Sequence, residues 1–186
     1  MENKFASRAG EKLDFALAHF KIDVHDLVCA DLGSDRGGFV DCLLRRGAKK
    51  VYAVERGYGL LDWKLRNDPR VVVLERTNAL HVKLPELVDF ISIDVGWTPQ
   101  KMIIPQALIL LKPAGQIVSL LKPQYEVAKK FLREGKVLTE KVPEVIDSVK
   151  KSLKALSHCE LVGLIESPLV GKSGGNTEYL LHLEKI

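Results

Sequence analysis

The sequence predicts a doubly wound α/β domain: a mostly parallel, seven-stranded sheet with helices on both faces and an antiparallel strand pair at the C-terminus. Two observations carry this. Short apolar runs rich in valine and isoleucine alternate with stretches of helical period, as in buried parallel strands joined by crossover helices. The last two such runs follow one another with no helical stretch between them, which suits a pair running in opposite directions.

Leu13, Ala16, Leu17 and Phe20 recur at helical spacing, so an amphipathic helix follows "SRAGEK". The strand runs are then "LVCADLG" (27–33), "KVYAVE" (50–55), "VVVLER" (71–76), "DFISIDVG" (89–96) and "GQIVSLLKP" (115–123). Helical stretches lie between them: "GGFVDCLLRRGA" with Gly47 as its C-cap, "LLDWKLRN", and "QKMIIPQALILLKPAG". Val142, Ile146, Val149, Leu153 and Leu156 mark a further long helix, and "ELVGLIES" and "EYLLHLEK" are the closing strands. The polar stretch 133–144 reads as a flexible connection beside the ligand face. No internal repeat or linker divides residues 1–186, which form one domain.

Composition narrows the function classes. Hydrophobic residues make up 46% and charged residues 28% of the 186, the profile of an ordinary globular protein with a proper core. A formal charge of +4 favours an anionic partner only mildly. Cys29, Cys42 and Cys159 show no metal-ligand spacing, so no metal is expected, and a reducing, cytoplasmic location fits. "MENKFASRAG" lacks the apolar region of a leader, and no run approaches the 18 apolar residues of a membrane span; no membrane partner is expected. The five histidines are scattered and read as structural or solvated.

The chemistry gathers at the carboxyl ends of the strand runs, where open α/β sheets bind ligands. "ADLGSDRGGFVD" joins the first run to a helix, with Gly33, Gly37 and Gly38 permitting a sharp turn and close ligand approach, and Asp31 and Ser34 supplying polar groups. The spacing in this loop is not G-x-G-x-x-G, and it carries no G-K-[ST], so a phosphate cradle there is not supported. Glu55 ends the second run where a carboxylate can accept both ribose hydroxyls, and Asn78 follows the third, where an amide can read an adenine edge. An adenosyl ligand with a free ribose and no phosphates has the form of S-adenosylmethionine. Asp94 and Lys122 end the fourth and fifth runs, so Asp31, Glu55, Asp94 and Lys122 share one rim. Lys129, Lys130, Arg133 and Lys136 follow directly and read as an RNA-facing patch. Trp63 is expected to pack in its helix, and Trp97 to stack on a base or on the cofactor.

"SRAGEKL", "DLGSDRGGF", "VYAVERGYGLLDWKLRNDPRVVVLERTNA", "SIDVGW", "LLKPQYE" and "GNTEYLLHL" resemble, in order and over nearly the whole chain, the hemolysin TlyA-like branch of the FtsJ-like ribosomal RNA ribose 2′-O-methyltransferases. The resemblance implies a Rossmann-like methyltransferase fold and a single S-adenosylmethionine-dependent RNA methyltransferase domain, acting on ribosomal RNA or a ribosomal subunit. It also implies a catalytic tetrad of Lys12, Asp94, Lys122 and Glu178: Lys122 as base, Asp94 orienting it, Lys12 and Glu178 positioning the RNA hydroxyl and phosphate. The loop motif brings Phe39 into the cofactor set with Asp31, Gly33, Ser34, Gly37, Gly38, Glu55, Asn78 and Asp94. A lysine serves as base only with its pKa lowered toward neutral; Lys12 and the sulfonium charge push Lys122 that way, and Asp94 and Glu178 oppose them.

The sequence departs from the branch in four respects. It is expected to lack the usual N-terminal S4 RNA-binding domain; Asp35 and Arg36 stand where small residues are expected; "DVGW" replaces "DVSF"; and Glu55 replaces the commoner aspartate. Asp35 and Arg36 keep open a rival reading, a non-catalytic RNA-binding relative with the same fold. A hemolytic role is not expected.

Overall fold

The computed structural model describes residues 4–171 and 175–186. Helix α1 (Ala9–Phe20) precedes β1 (Val28–Leu32), α2 (Gly38–Arg45), β2 (Lys50–Val54), α3 (Trp63–Arg66), β3 (Val71–Leu74), β4 (Val88–Ile93), α4 (Gln100–Leu110) and β5 (Leu111–Leu121). A two-stranded hairpin, β6 (Leu132–Arg133) and β7 (Lys136–Val137), then leads to α5 (Val142–Lys154), β8 (Cys159–Glu166) and β9 (Tyr179–Lys185).

The seven-stranded sheet has the order β3-β2-β1-β4-β5-β9-β8. Its first five strands are parallel, and β9 runs antiparallel to both β5 and β8. The order turns back between β1 and β4, which opens the ligand crevice above their carboxyl ends. The closing pair is thus antiparallel, with the last strand inside the sheet and β8 at its edge.

Alternation within the apolar strands sorts the core into two layers. Phe90, Val118 and Leu180 face α1 and α2 together with Leu13, Leu17, Phe39 and Leu43. Their neighbours Ile91, Ile117 and Leu181 face α4 and α5 with Ile103, Ile104 and Leu153. A run apolar at every position is therefore required by burial on both faces.

Four expectations are corrected. Helix α3 has only four residues, and Trp63, its first, is 74% exposed instead of packed: a single turn has no buried face long enough to hold a large ring. Strand β5 begins at Leu111 rather than Gly115, directly from α4, and its pairing jumps from Val88↔Leu111 to Phe90↔Gln116 as the chain bulges through Lys112–Gly115. Residues 133–144, expected as a plain flexible connection, contain β6's end, β7 and the start of α5. Gly47, with φ +87, lies one residue beyond the cap Arg46, where a left-handed residue closes the turn.

Candidate active site

Two clefts open along the carboxyl rim. The first, of about 170 Å³, is lined by Lys12 of α1, Asp94 after β4, Lys122 after β5 and Glu178 before β9, with Ser7, Arg8, Asp35, Gln124 and Tyr125. The fold brings the four expected tetrad residues together as two ion pairs. Lys12 and Glu178 are 5% and 4% exposed and bonded to one another, and Lys122 pairs with Asp94. Lys122 Nζ also lies 3.5 Å from the Val95 carbonyl oxygen.

Electrostatics here run against one expectation. Burial pulls the Lys122 pKa down, but the Asp94 charge and its hydrogen bond, joined by Glu178 and Tyr125, push harder upward, and the net shift is above the ordinary lysine value. The ligand-free protein therefore holds Lys122 protonated, not lowered toward neutral.

The second cleft, of about 480 Å³, lies over β1, β2 and β4 and is lined by Gly33, Asp35, Glu55, Asn78, Asp94 and Trp97, with Ala79, Leu80, Val95 and Ile103 as apolar wall. Glu55 uses both oxygens on the backbone: Oε2 accepts the Asp35 N–H at 2.9 Å and Oε1 the Gly57 N–H at 2.7 Å. Each carboxylate oxygen has a second lone pair, so both still accept from a ribose. Asn78 Oδ1 accepts the Leu80 N–H at 3.0 Å, which leaves its amide nitrogen to donate to a base edge. This acceptor, this donor and the apolar wall fit a nucleoside.

The other predicted cofactor residues occupy different places. Asp31, Ser34, Gly37, Gly38 and Phe39 are buried and line neither cleft. Phe39 packs in the core. A Cβ on Gly38 would strike the Ser7 Oγ and come within 2.9 Å of the Gly10 nitrogen, so this glycine lets α1 approach α2; Gly37 yields to Leu61 and Leu65. Gly33, at φ +91, passes so close to Asp94 that a Cβ would sit 2.6 Å from its carbonyl oxygen. Gly37 and Gly38 thus serve internal packing, while Gly33 is closely packed and also lines the second cleft. Asp31 accepts a 2.7 Å hydrogen bond from Ser92, its Oδ2 has no partner among the described residues, and burial pushes its pKa up to about 7. Ser34 donates to the Asp31 carbonyl at 3.1 Å, pinning the turn.

Trp97 joins the clefts. It is 86% exposed, held at φ +58, and its ring centroid lies 5.1 Å from that of Tyr125 in the first cleft. Sequence reasoning missed Ser7, Arg8, Gln124 and Tyr125 as lining residues, although all lie within the quoted motifs. It also missed Glu126, whose Oε1 accepts the Gln100 N–H at 2.8 Å and so anchors the start of α4 against "LLKPQYE"; burial raises its pKa. No histidine lines either cleft. Among the described residues no group is placed to hold a metal, and no helix is long and apolar enough to cross a membrane.

The 16S/23S rRNA (cytidine-2′-O)-methyltransferase TlyA of Mycobacterium tuberculosis is 40% identical over 189 residues, 98% of this chain and 69% of that protein. The chain spans about two thirds of the length of the curated relatives it matches. A Streptococcus thermophilus structure described as a candidate hemolysin superposes with a TM-score of 0.93 at 37% identity, covering 100% of this chain and 68% of that one. The Bradyrhizobium japonicum N-methyltransferase NodS, solved with S-adenosyl-l-homocysteine, shares the fold with a TM-score of 0.65 at 14% identity, covering 99% of this chain and 89% of that one. The FtsJ-like methyltransferase family matches residues 5–185, and this chain belongs to it.

Proposed function

We propose that the protein transfers a methyl group from S-adenosylmethionine to a ribose 2′-hydroxyl of ribosomal RNA. The observation that carries this reading is the junction of the two clefts: a nucleoside-shaped cleft under Glu55 and Asn78 opens directly onto the paired charges Lys12–Glu178 and Lys122–Asp94. When bound, S-adenosylmethionine supplies an electrophilic methyl group on a cationic sulfur.

Glu55 and Asn78 would hold the adenosyl part, with Gly33 and the buried Asp31 shaping the loop beneath it. The protein then has to align the hydroxyl with the methyl and take up its proton, because an in-line substitution needs no covalent enzyme intermediate. Asp94 orients Lys122 at the first cleft. A positive charge bound near Lys122 would oppose the charge on its ammonium and favour loss of the lysine proton. Once deprotonated, Lys122 would accept the proton of the 2′-hydroxyl as that oxygen takes up the methyl group. Lys12, kept in place by Glu178, positions the hydroxyl and adjoining phosphate.

RNA as substrate is supported by the relative named for 16S/23S rRNA and by Lys129, Lys130, Arg133 and Lys136, all exposed on the segment leaving β5. None of the four forms an ion pair among the described residues, so each is available to phosphate. Trp97, next to Tyr125, supplies an exposed ring for base stacking. Incubating the protein with S-adenosylmethionine and unmodified ribosomal RNA, then digesting to nucleosides, should yield a 2′-O-methylnucleoside. Base-methylated product, or cofactor binding without transfer, would overturn the reading, the latter in favour of a non-catalytic RNA-binding relative.

A further inference from the structure

Four carboxylates line the clefts, and three are committed. Glu178 is buried and paired with Lys12. Both Glu55 oxygens hold loop amides. Asp94 pairs with Lys122. Asp35 is different: it lines both clefts, is exposed, and its side chain has neither a hydrogen bond nor an ion pair among the described residues. Its backbone stands at φ +45, a left-handed conformation that costs energy for a residue with a Cβ and is best tolerated by aspartate and asparagine. The Glu55 carboxylate fixes it there by accepting its N–H at 2.9 Å.

We propose that Asp35 is the counter-charge for the cationic, methionine-derived end of S-adenosylmethionine, and that it makes the protein favour the charged cofactor over its neutral-sulfur product. This rests on the cofactor reading above. With the adenosyl part in the Glu55 cleft and the methyl presented to Lys122, the portion reaching from one cleft to the other carries the sulfonium and the α-ammonium. Asp35 and Asp94 are the acidic residues common to both clefts, and Lys122 already neutralises Asp94. The transfer leaves a thioether and removes one positive charge, so an uncompensated carboxylate at this point attracts the cofactor more than the product. In place of a small residue, Asp35 therefore adds discrimination and does not block the cofactor.

The test is calorimetric titration of S-adenosylmethionine, S-adenosylhomocysteine and 5′-methylthioadenosine, which lacks the amino acid part and the charge. The proteins are the wild type, Asp35→Asn and Asp35→Gly; the glycine variant accommodates the positive φ without a carboxylate. Expected is a loss of about 10-fold for S-adenosylmethionine in both variants, a smaller loss for S-adenosylhomocysteine, and unchanged affinity for 5′-methylthioadenosine. Unchanged S-adenosylmethionine affinity overturns the proposal, as does an equal loss for all three ligands, which would mark Asp35 as a determinant of loop shape alone. A wild type that binds none of the three has a separate signature: it overturns the cofactor reading, and this assignment with it.

Discussion

Lys12 of the first helix and Glu178, 166 residues later in the chain, form a buried ion pair in the wall of the first cleft. Such a pair stabilises little on balance, because both ions give up water, yet breaking it leaves one charge buried alone. Lys12→Met and Glu178→Leu should each cost roughly 3 to 5 kcal/mol, whereas the double variant should recover most of that loss. Urea unfolding of the three variants measures this. Losses that simply add would show that the two residues are not coupled. All three variants should lose methyl transfer, which would place the pair's value in function and not in stability.

Asp31 makes stability depend on pH. Its folded pKa, about 7, lies above the ordinary aspartate value of 3.8, so the folded protein binds more protons than the unfolded chain between those limits. Stability contributed by the protonated form is present at low pH and is lost as pH rises through this window, then levels off above it. The fall should be on the order of 2 to 4 kcal/mol, and Asp31→Asn, which still accepts from Ser92, should abolish most of it. Urea midpoints at pH 5 and pH 8 decide the matter. A wild type more stable at pH 8, with the asparagine variant unchanged, would contradict the raised pKa.

The basic segment makes a prediction of its own. Lys129, Lys130, Arg133 and Lys136 are exposed around the β6–β7 hairpin, which leaves the sheet next to Lys122. Replacing Lys129 and Lys130 with glutamate should weaken ribosomal RNA binding and reduce the slope of log affinity against log salt by about 1 to 2, while calorimetry shows cofactor affinity intact. Equal RNA affinity in both proteins would make the segment ordinary surface.

The sheet was legible because strands buried on both faces must be apolar at successive positions, as at Phe90–Ile91 and Ile117–Val118, and local composition records that demand. The rim residues Glu55, Asp94 and Lys122 were legible for a related reason: a charge ending an apolar run has one place to go. Contacts between distant segments left no local trace. Nothing near Gly38 shows that Ser7 and Gly10 will press against it, and nothing near Glu126 shows that it will meet the Gln100 N–H. Only resemblance, not pattern, joined Lys12 to Glu178. Trp63 misled because a helical stretch of composition ends as a single exposed turn.

Lys122 carries the most direct test of mechanism. Its pKa is raised above the ordinary lysine value of 10.5 in the ligand-free protein, so its ion pair with Asp94 stabilises the fold fully below that value, and this stability is lost as pH rises through the higher folded pKa. Thermal unfolding of the ligand-free protein should therefore shift downward only in strongly alkaline solution, and Lys122→Met should flatten that shift. Catalysis needs the other protonation state. Single-turnover methyl transfer should rise with pH across the neutral range as Lys122 gives up its proton in the loaded protein, and Lys122→Ala should be slower by roughly 100-fold or more. Arginine keeps the charge and the partner Asp94 but does not deprotonate, so Lys122→Arg should be nearly as slow and lose the pH dependence, with cofactor affinity in this variant close to wild type. Near-normal transfer by the arginine variant would mean that the side chain supplies positive charge alone, and that the hydroxyl proton leaves by another route.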